Sequence, residues 1–447
     1  MVRFRQPIMA SKTAVQHIAA AVALLVALCL LVLTATTDDA RALNTETIVP
    51  GQIIVKTAPG VNIAALNSGY GTLVVERFLD KKNTNIYLLE TVNGSDAQGT
   101  IETMLGDRRI TYAEPNYLTG VPEADDETEA QHRHSAFPAG DATPTTKNYS
   151  RDSIYPDSAL NLTDARKISQ GAGKTVAIID TGAQMNHPAL KARFVGVPRY
   201  DFVDDDIDPW EPPLASTEEQ RDQEVVGHGT HVAGIINLVA PRANLMPLRA
   251  LDKDGYGSSF HVAEAIAFAD TNGANVINLS LGSPSWSRLI REKVVEATDH
   301  GKVVVAAAGN YNSVQPQYPA SRQIPNAVNN DGLLAVTSVD PTPKRSTFAN
   351  YGTWVDIAAP GEQILSTYPV SGYAYWSGTS MATPFVAGEA ALIQASAKSP
   401  ISPSGVETRI RCSARSIPED PGHLTLGAGH ANIGASIGQA AGQTCPL

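Results

Sequence analysis

Ser380 stands in GTSMATPFVAG, residues 378–388, where a sharp turn runs into a helical pattern. Met381, Phe385 and Val386 can face a core there, and Gly378, Ala382, Ala387 and Gly388 are small enough for close packing. A serine hydroxyl is a weak nucleophile until a base takes its proton and donors receive the oxyanion that forms. The same serine also reads as an ordinary helix cap. Asp180 ends the apolar run VAIID and is followed by Thr-Gly. It is either a turn-capping carboxylate or one that orients a histidine. GHGTHVAG, residues 227–234, opens a helix with His228 and His231 three apart, on one face. That spacing allows a zinc pair, but zinc helices usually carry a Glu beside the first His and a spacing of four. A general base is the better reading, with Gly229 leaving room beside it. Asn310 follows VVVAAAG; it is a turn residue next to Gly309 or a side-chain amide aimed at an oxyanion.

Those four positions need a scaffold that brings strand ends and helix starts together. From Ala159 onward short apolar runs occur at 175–179, 244–248, 276–279, 303–307 and 333–336, with helical patterns between several of them, such as 260–270 and 287–300. This predicts an α/β fold: a parallel sheet with helices on both faces, whose sites gather at the C-terminal ends of the strands. Upstream, residues 48–119 read as strand 52–56, helix 61–66, strands 73–78 and 85–89, helix 95–105 and strand 110–114. That β-α-β-β-α-β order is the small α+β ferredoxin-like unit. Residues 121–155 are rich in acid, Pro and Ser without an apolar period, an acidic linker open to proteolysis. Residues 1–42 begin with Arg3, Arg5 and Lys12, run apolar from Ile18 to Leu33 and end in Ala40-Arg41-Ala42, the pattern of an export signal. The apolar run is also long enough to stay as a membrane anchor.

The chain of 447 residues carries a net charge of −11 without a long basic run, which argues against nucleic acid as a partner. Cys29 lies in the apolar leader, leaving Cys412 and Cys445 as the late pair. In an exported chain they predict one disulfide pinning the C-terminal tail, worth about 3–4 kcal/mol for a loop of roughly 30 residues; the alternative is two free thiols.

Asp, His, Asn and Ser, in that chain order, carry a resemblance. DTG at Asp180, HGTHVAG at His228 and GTSMATP at Ser380 resemble the three catalytic signatures of the subtilisin-like serine proteases, the subtilases, from about Ser150 to about Ala440. The resemblance implies Ser380 as nucleophile, His228 as general base and acid, Asp180 as its orienter, and Asn310 with the Ser380 backbone N–H as oxyanion hole, leaving His231 structural. It implies that substrate adds as an extended strand between Ser280-Leu281-Gly282 and Gly255-Tyr256-Gly257, beneath a first specificity pocket roofed by Ala307-Ala308-Gly309. Gln317 falls where many relatives have Gly, so a shorter pocket with less taste for large aromatic residues is expected. Residues 48–120 resemble the family's inhibitory propeptide, with YAEPNY near its end, and 156–447 then form the catalytic domain.

No cofactor is implied for catalysis. The family's strong calcium loop after the His helix is missing, because only five residues separate Gly234 from Ala240-Pro241. The acidic stretch YDFVDDDIDPW instead resembles a calcium site of thermophilic subtilases, with Asp201 and Asp206 as ligands for a stabilising ion; the alternative is a solvated acidic loop. The expected protein is a secreted, monomeric endopeptidase made as an autoprocessed zymogen. It acts on peptide or protein substrates, is held by its own propeptide, and meets a membrane only through an uncleaved leader. A catalytically silent peptide-binding pseudoprotease and a membrane-anchored processing protease are the alternatives.

Overall fold

Val, Ile and Leu dominate the strands of the central sheet because both of its faces are covered. In the computed structural model this sheet has seven parallel strands, ordered β13-β12-β11-β10-β6-β8-β7. These are β6 (Thr175–Asp180), β7 (Tyr200–Asp201), β8 (Asn244–Arg249), β10 (Val276–Leu279), β11 (Val303–Ala307), β12 (Leu333–Val339) and β13 (Ile357–Pro360). The structure describes residues 48–79, 85–92, 96–124, 160–214, 225–322, 331–418, 420 and 425–438, with the backbone alone at 133–136. The leader (1–42), most of the linker and Cys445 lie outside the described residues. Among the described residues no helix is long and apolar enough to cross a membrane.

Two buried clusters sandwich the sheet. One gathers α4 (His228–Val239) and α7 (Thr379–Ser396) with the outward side chains of one sheet face. The other gathers α5 (Ser259–Thr271) and α6 (Arg288–Asp299) on the opposite face. The expected helices at 260–270 and 287–300 are these two, bounded by side-chain caps: Ser258 Oγ accepts from His261 N and Ser287 Oγ accepts from Ile290 N. Where α4 meets α7, a Cβ on Gly388 would stand 2.6 Å from Val239 Cβ, so only glycine permits the approach. α4 runs directly into β8 through a tight turn, Ala243 N donating to Ala240 O at 3.0 Å.

The N-terminal lobe follows the predicted order: β1 (Ile48–Thr57), α1 (Ile63–Tyr70), β2 (Thr72–Arg77), β3 (Ile86–Thr91), α2 (Ala97–Met104) and β4 (Ile110–Gly120). Its strands order as β2-β3-β1-β4, and β9 (Tyr256–Ser258) of the main lobe adds as a fifth. This corrects two expectations. The last strand continues six residues beyond Glu114, because its outer half is paired by the other lobe: Leu118, Thr119 and Gly120 face Ser258, Gly257 and Tyr256. Residues 121–124 are not a solvated linker either; Val121, Glu123 and Ala124 are buried. Further along, β5 (Arg133–Ala136) pairs with the edge of a hairpin that the apolar runs did not reveal, β14 (Ile364–Tyr368) and β15 (Gly372–Trp376).

The two lobes are joined by capping as well as by strands. Glu114 accepts from Arg288 N, Leu289 N and Ser287 Oγ at 2.8–3.0 Å, capping α6. Asn116 Oδ1 accepts from Phe260 N and Ser259 Oγ, both at 3.1 Å, at the start of α5. Such groups satisfy helix N–H donors that have no partner inside the helix. Lys56 pairs with Glu292 at 2.8 Å, and Phe78 meets Phe260 edge-on at 5.5 Å.

One core residue breaks the pattern. Glu389 is fully buried on α7 with neither carboxylate oxygen hydrogen-bonded, while the neighbouring Ser436 hydroxyl donates to Ile433 O. Burial raises its pKa from 4.5 to about 8. A raised folded-state carboxyl costs nothing below the unfolded value near 4.5, and the cost grows as pH rises toward 8. Glu389→Gln is therefore expected to raise Tm by several degrees at pH 8 and to change it little at pH 4.5, measured by thermal unfolding in a Ser380→Ala background.

Candidate active site

The C-terminal ends of β6 and β11 and the starts of α4 and α7 converge on one point. Asp180 closes β6 and is fully buried. Its Oδ1 accepts from Thr181 N at 2.8 Å and faces His228 Nδ1 at 2.7 Å. His228 is the first residue of α4, after Gly227 at φ 99°, a left-handed conformation that favours glycine. A Cβ on Gly229 would overlap Gly182 O, so the glycine lets the helix start approach the end of β6. The two histidines go separate ways. His231 Nε2 reaches the carbonyls of Ile364 and Ala374, each at 3.0 Å, and burial pushes its pKa down to about 3. It is a neutral tie between α4 and the β14–β15 hairpin, stacked on Trp376 with ring centres 5.2 Å apart. No shared metal site for the pair follows from this geometry.

Ser380 is the second residue of α7, after Thr379. Pro384 lies inside that helix and supplies no N–H to the carbonyl four residues earlier, that of Ser380. The orphaned Ser380 O accepts instead from Ser280 Oγ at 2.9 Å, tying the Ser380 turn to the segment after β10. Asn310, three residues past β11, is oriented by Thr379, whose N–H and Oγ1 both donate to its Oδ1 at 2.9 Å. The Asn310 amide NH2 therefore points into the cavity.

A carboxylate fills that cavity. Glu123 Oε1 accepts from Asn310 Nδ2 at 2.9 Å, and Glu123 Oε2 accepts from Ser380 Oγ at 2.7 Å. His228 Nε2 faces the same Oε2 at 3.3 Å, an ion contact without good hydrogen-bond alignment. A Cβ on Gly378 would overlap Glu123 Oε1. The approach is made by the N-terminal lobe's last strand. Gly120 exchanges both backbone hydrogen bonds with Gly282, at 2.9 and 2.8 Å, and Val121 N donates to Gly255 O at 3.0 Å. Residues 118–121 thus lie as an extended strand between 255–257 and 280–282, the two segments expected to hold substrate. Gln317 is buried beside them: its Cβ would be 3.7 Å from a Cβ on Gly282 and its Cγ 2.9 Å from one on Gly309. Ala307 and Ala308 are buried at the end of β11 and just past it.

The charges form a stack of Asp180, His228 and Glu123. Burial pushes His228 down, but the charge and hydrogen bond of Asp180, and then the contact with Glu123, outweigh it and lift His228 to about 10. Burial would push Glu123 up; contact with His228, Ser380 and Asn310 holds it below the ordinary carboxylate value.

A subtilase family model matches residues 171–431, more than half of the chain. The chain belongs to the subtilase family. A model of the fervidolysin N-terminal prodomain matches residues 34–116. A thermophilic serine proteinase of Bacillus sp. (strain AK1) is 34% identical over 359 residues, covering 77% of this chain and 78% of that one. Thermitase of Thermoactinomyces vulgaris is 41% identical over 255 residues, covering 55% and 83%. The crystal structure of fervidolysin from Fervidobacterium pennivorans matches 89% of this chain at a TM-score of 0.70 and 22% identity, a likeness of fold; this chain spans 62% of that one. The chain is a subtilisin-like serine protease with an N-terminal prodomain.

Within this subtilase the acidic stretch 201–208 is held by Arg249 and by its own backbone. Asp201 Oδ2 takes Arg249 Nη1 at 2.8 Å, and its Oδ1 accepts from Val203 N and Asp204 N. Asp206 Oδ1 accepts from Asp208 N at 2.7 Å. Asp201 and Asp204 thus share the Arg249 guanidinium. The sequence reading of this stretch did not include Arg249, 48 residues from Asp201. Cys412 sits on α8 (Pro403–Ser413).

Glu123 was missed as a site residue. Its sequence signal, the first acid of a run 123–129, read as solvation. Its position also sets a pH dependence. The His228 contribution to the Glu123 contact is full below the ordinary value of 6.5 and fades as pH rises through about 10. The Glu123 contribution is full above its ordinary 4.5 and fades as pH falls. Ser380 in the intact chain should therefore react slowest with a serine-directed fluorophosphonate between pH 4.5 and 6.5, and faster toward pH 10. Glu123→Gln should speed labelling at pH 6 by about 10–100-fold, the weight of one charged hydrogen bond; equal labelling rates in both chains would refute the contact's role.

Proposed function

We propose that this subtilase is an exported, monomeric serine endopeptidase made as a self-processing zymogen. Ser380 Oγ attacks the carbonyl carbon of a peptide bond while His228 Nε2 takes its proton. The proton is then given to the departing amine, leaving an acyl-enzyme that water hydrolyses with His228 again as base. Asp180 holds the imidazole through Nδ1 and stabilises the imidazolium. Asn310 Nδ2, with the Ser380 backbone N–H, receives the oxyanion. None of these steps calls for a cofactor.

One observation carries this reading: a single carboxylate, Glu123, is met at once by Ser380 Oγ, His228 Nε2 and Asn310 Nδ2. A carboxylate resembles both the product acid and the charge of the tetrahedral intermediate, so the groups that hold it are those that would hold the reacting centre. Strand 118–121 supports extended peptide as substrate, by β-addition to both flanking segments. The buried Gln317 beside Gly282 and Gly309 supports a shortened first pocket that disfavours Phe and Tyr.

In the same reading residues 1–42 direct export, the prodomain from residue 48 ends in the Glu123 plug, and maturation cuts in the linker that runs to 155. The catalytic domain from 156 onward keeps a Cys412–Cys445 disulfide. Cleavage requires Glu123 to leave so that a backbone carbonyl can take its place.

Two measurements test this. Wild type should shorten to a fragment whose N-terminus lies in the linker, while Ser380→Ala stays full length on a gel. Both chains remaining full length would favour a silent peptide-binding protein. In matured enzyme, Asn310→Ala should lower kcat by about 10²–10³-fold with KM little changed, the loss known for the oxyanion amide of subtilisin; an unchanged kcat would remove Asn310 from the site.

A further inference from the structure

The His228 helix has a cap that its own chain neighbours do not supply. Gly227 has no side chain to offer, and α4 must present its first residue, His228, to Asp180 in one orientation. The buried carboxylate of Glu211 takes over. Its Oε2 accepts from Gly227 N at 3.0 Å and its Oε1 from Thr230 N at 2.9 Å, one N–H on either side of His228. Thr230 Oγ1 lies 3.2 Å from the same Oε1, and Thr181 Oγ1 lies 3.2 Å from both oxygens.

Thr181 makes the link to the reacting groups. Its hydroxyl accepts from Gly229 N at 3.1 Å and can donate once, to Glu211 or to Asp180 Oδ1 at 3.3 Å. The segment carrying Glu211 is itself fixed against the end of β6. Ala183 N donates to Pro209 O at 3.0 Å, and a Cβ on Gly182 would stand 3.0 Å from Glu211 N. Glu211 is therefore locked to the Asp180 loop through its backbone and to the His228 helix through its side chain.

We propose that Glu211 is a positioning residue of this subtilase: it clamps the start of α4 so that His228 meets Asp180 and Ser380, and its negative charge helps hold the imidazolium formed during acyl transfer. The inference rests on the roles proposed above for Ser380, His228 and Asp180. The charged groups facing this cluster are Asp180, His228 and, before maturation, Glu123. Burial raises the Glu211 pKa and the N–H donors of Gly227 and Thr230 oppose that rise. All the polar groups around the carboxylate can act as donors, which suits the ionised form. A glutamine of the same shape would turn an NH2 toward one backbone N–H and lose both the clamp and the charge.

The test uses the full chain, its processed form, and active-site titration with a fluorophosphonate so that only folded sites are counted. Glu211→Gln should lower kcat per titrated site by about 10–100-fold, the scale of a small misplacement of a reacting group, with KM within about twofold. The acid limb of the kcat/KM profile should move to lower pH, because His228 loses a nearby negative charge. Glu211→Asp keeps the charge but is one methylene too short to span both N–H groups, so kcat should fall while the acid limb stays in place. A Glu211→Gln enzyme with wild-type kcat and acid limb, changed only in Tm, would overturn the proposal. If Glu211→Gln yields no titratable sites, Glu211→Asp decides: a wild-type kcat per site overturns it. Ser380→Ala run alongside separates the two readings. Residual hydrolysis there would remove the assumed nucleophile, whereas an inert Ser380→Ala beside a wild-type-like Glu211→Gln removes only the clamp.

Discussion

Three buried ionisable groups in a row govern this molecule: Asp180, His228 and Glu123, with distances of 2.7 and 3.3 Å between them and almost no exposed surface. Burying charge is costly unless every partner is in place, and the surrounding architecture can be understood as the supply of those partners. Thr181 N serves Asp180; Asn310 and Ser380 serve Glu123. Trp376 packs against both His228 and His231 from the hairpin side. The alternation of strand and helix places these groups at or just beyond strand ends and at helix starts, where the segments leaving a parallel sheet converge.

Much of this was legible in the chain itself. GTSMATP, HGTHVAG and DTG mark turns at which short apolar strands hand over to helices, and the runs at 276–279 and 303–307 coincide with β10 and β11. The ferredoxin-like order of the N-terminal lobe was legible for the same local reason. What sequence reading lost was set by contacts between distant segments. β4 reaches Gly120 only because β9, more than a hundred residues later, pairs with its outer half. Glu123 and Glu211 look like surface acids beside Pro and Asp, and become buried acceptors only when the His228 helix and the α7 turn come to meet them. The Arg249 partner of Asp201, 48 residues away, was hidden from sequence reading for the same reason.

Ser280 illustrates how one residue joins packing to chemistry. Its hydroxyl receives Asn278 Nδ2 and donates to the carbonyl that Pro384 leaves free, while its own carbonyl lies 3.3 Å from Ser380 Oγ. A helix interruption that would ordinarily weaken α7 is thereby turned into a brace for the serine.

The β4–β9 pairing, the helix caps from Glu114 and Asn116, the Lys56–Glu292 pair and the Glu123 plug each draw their N-terminal partner from upstream of residue 125. A cut in the linker would leave each of them standing. What a cut changes is molecularity. In the uncut chain the plug is present at an effective concentration fixed by the tether, whereas afterwards it is a separate molecule that can diffuse away. Scission and unblocking then become two events. A dilute preparation would open by itself, and a crowded one would stay shut until the fragment was digested, so that the amount of protease present would help to set when it begins to act.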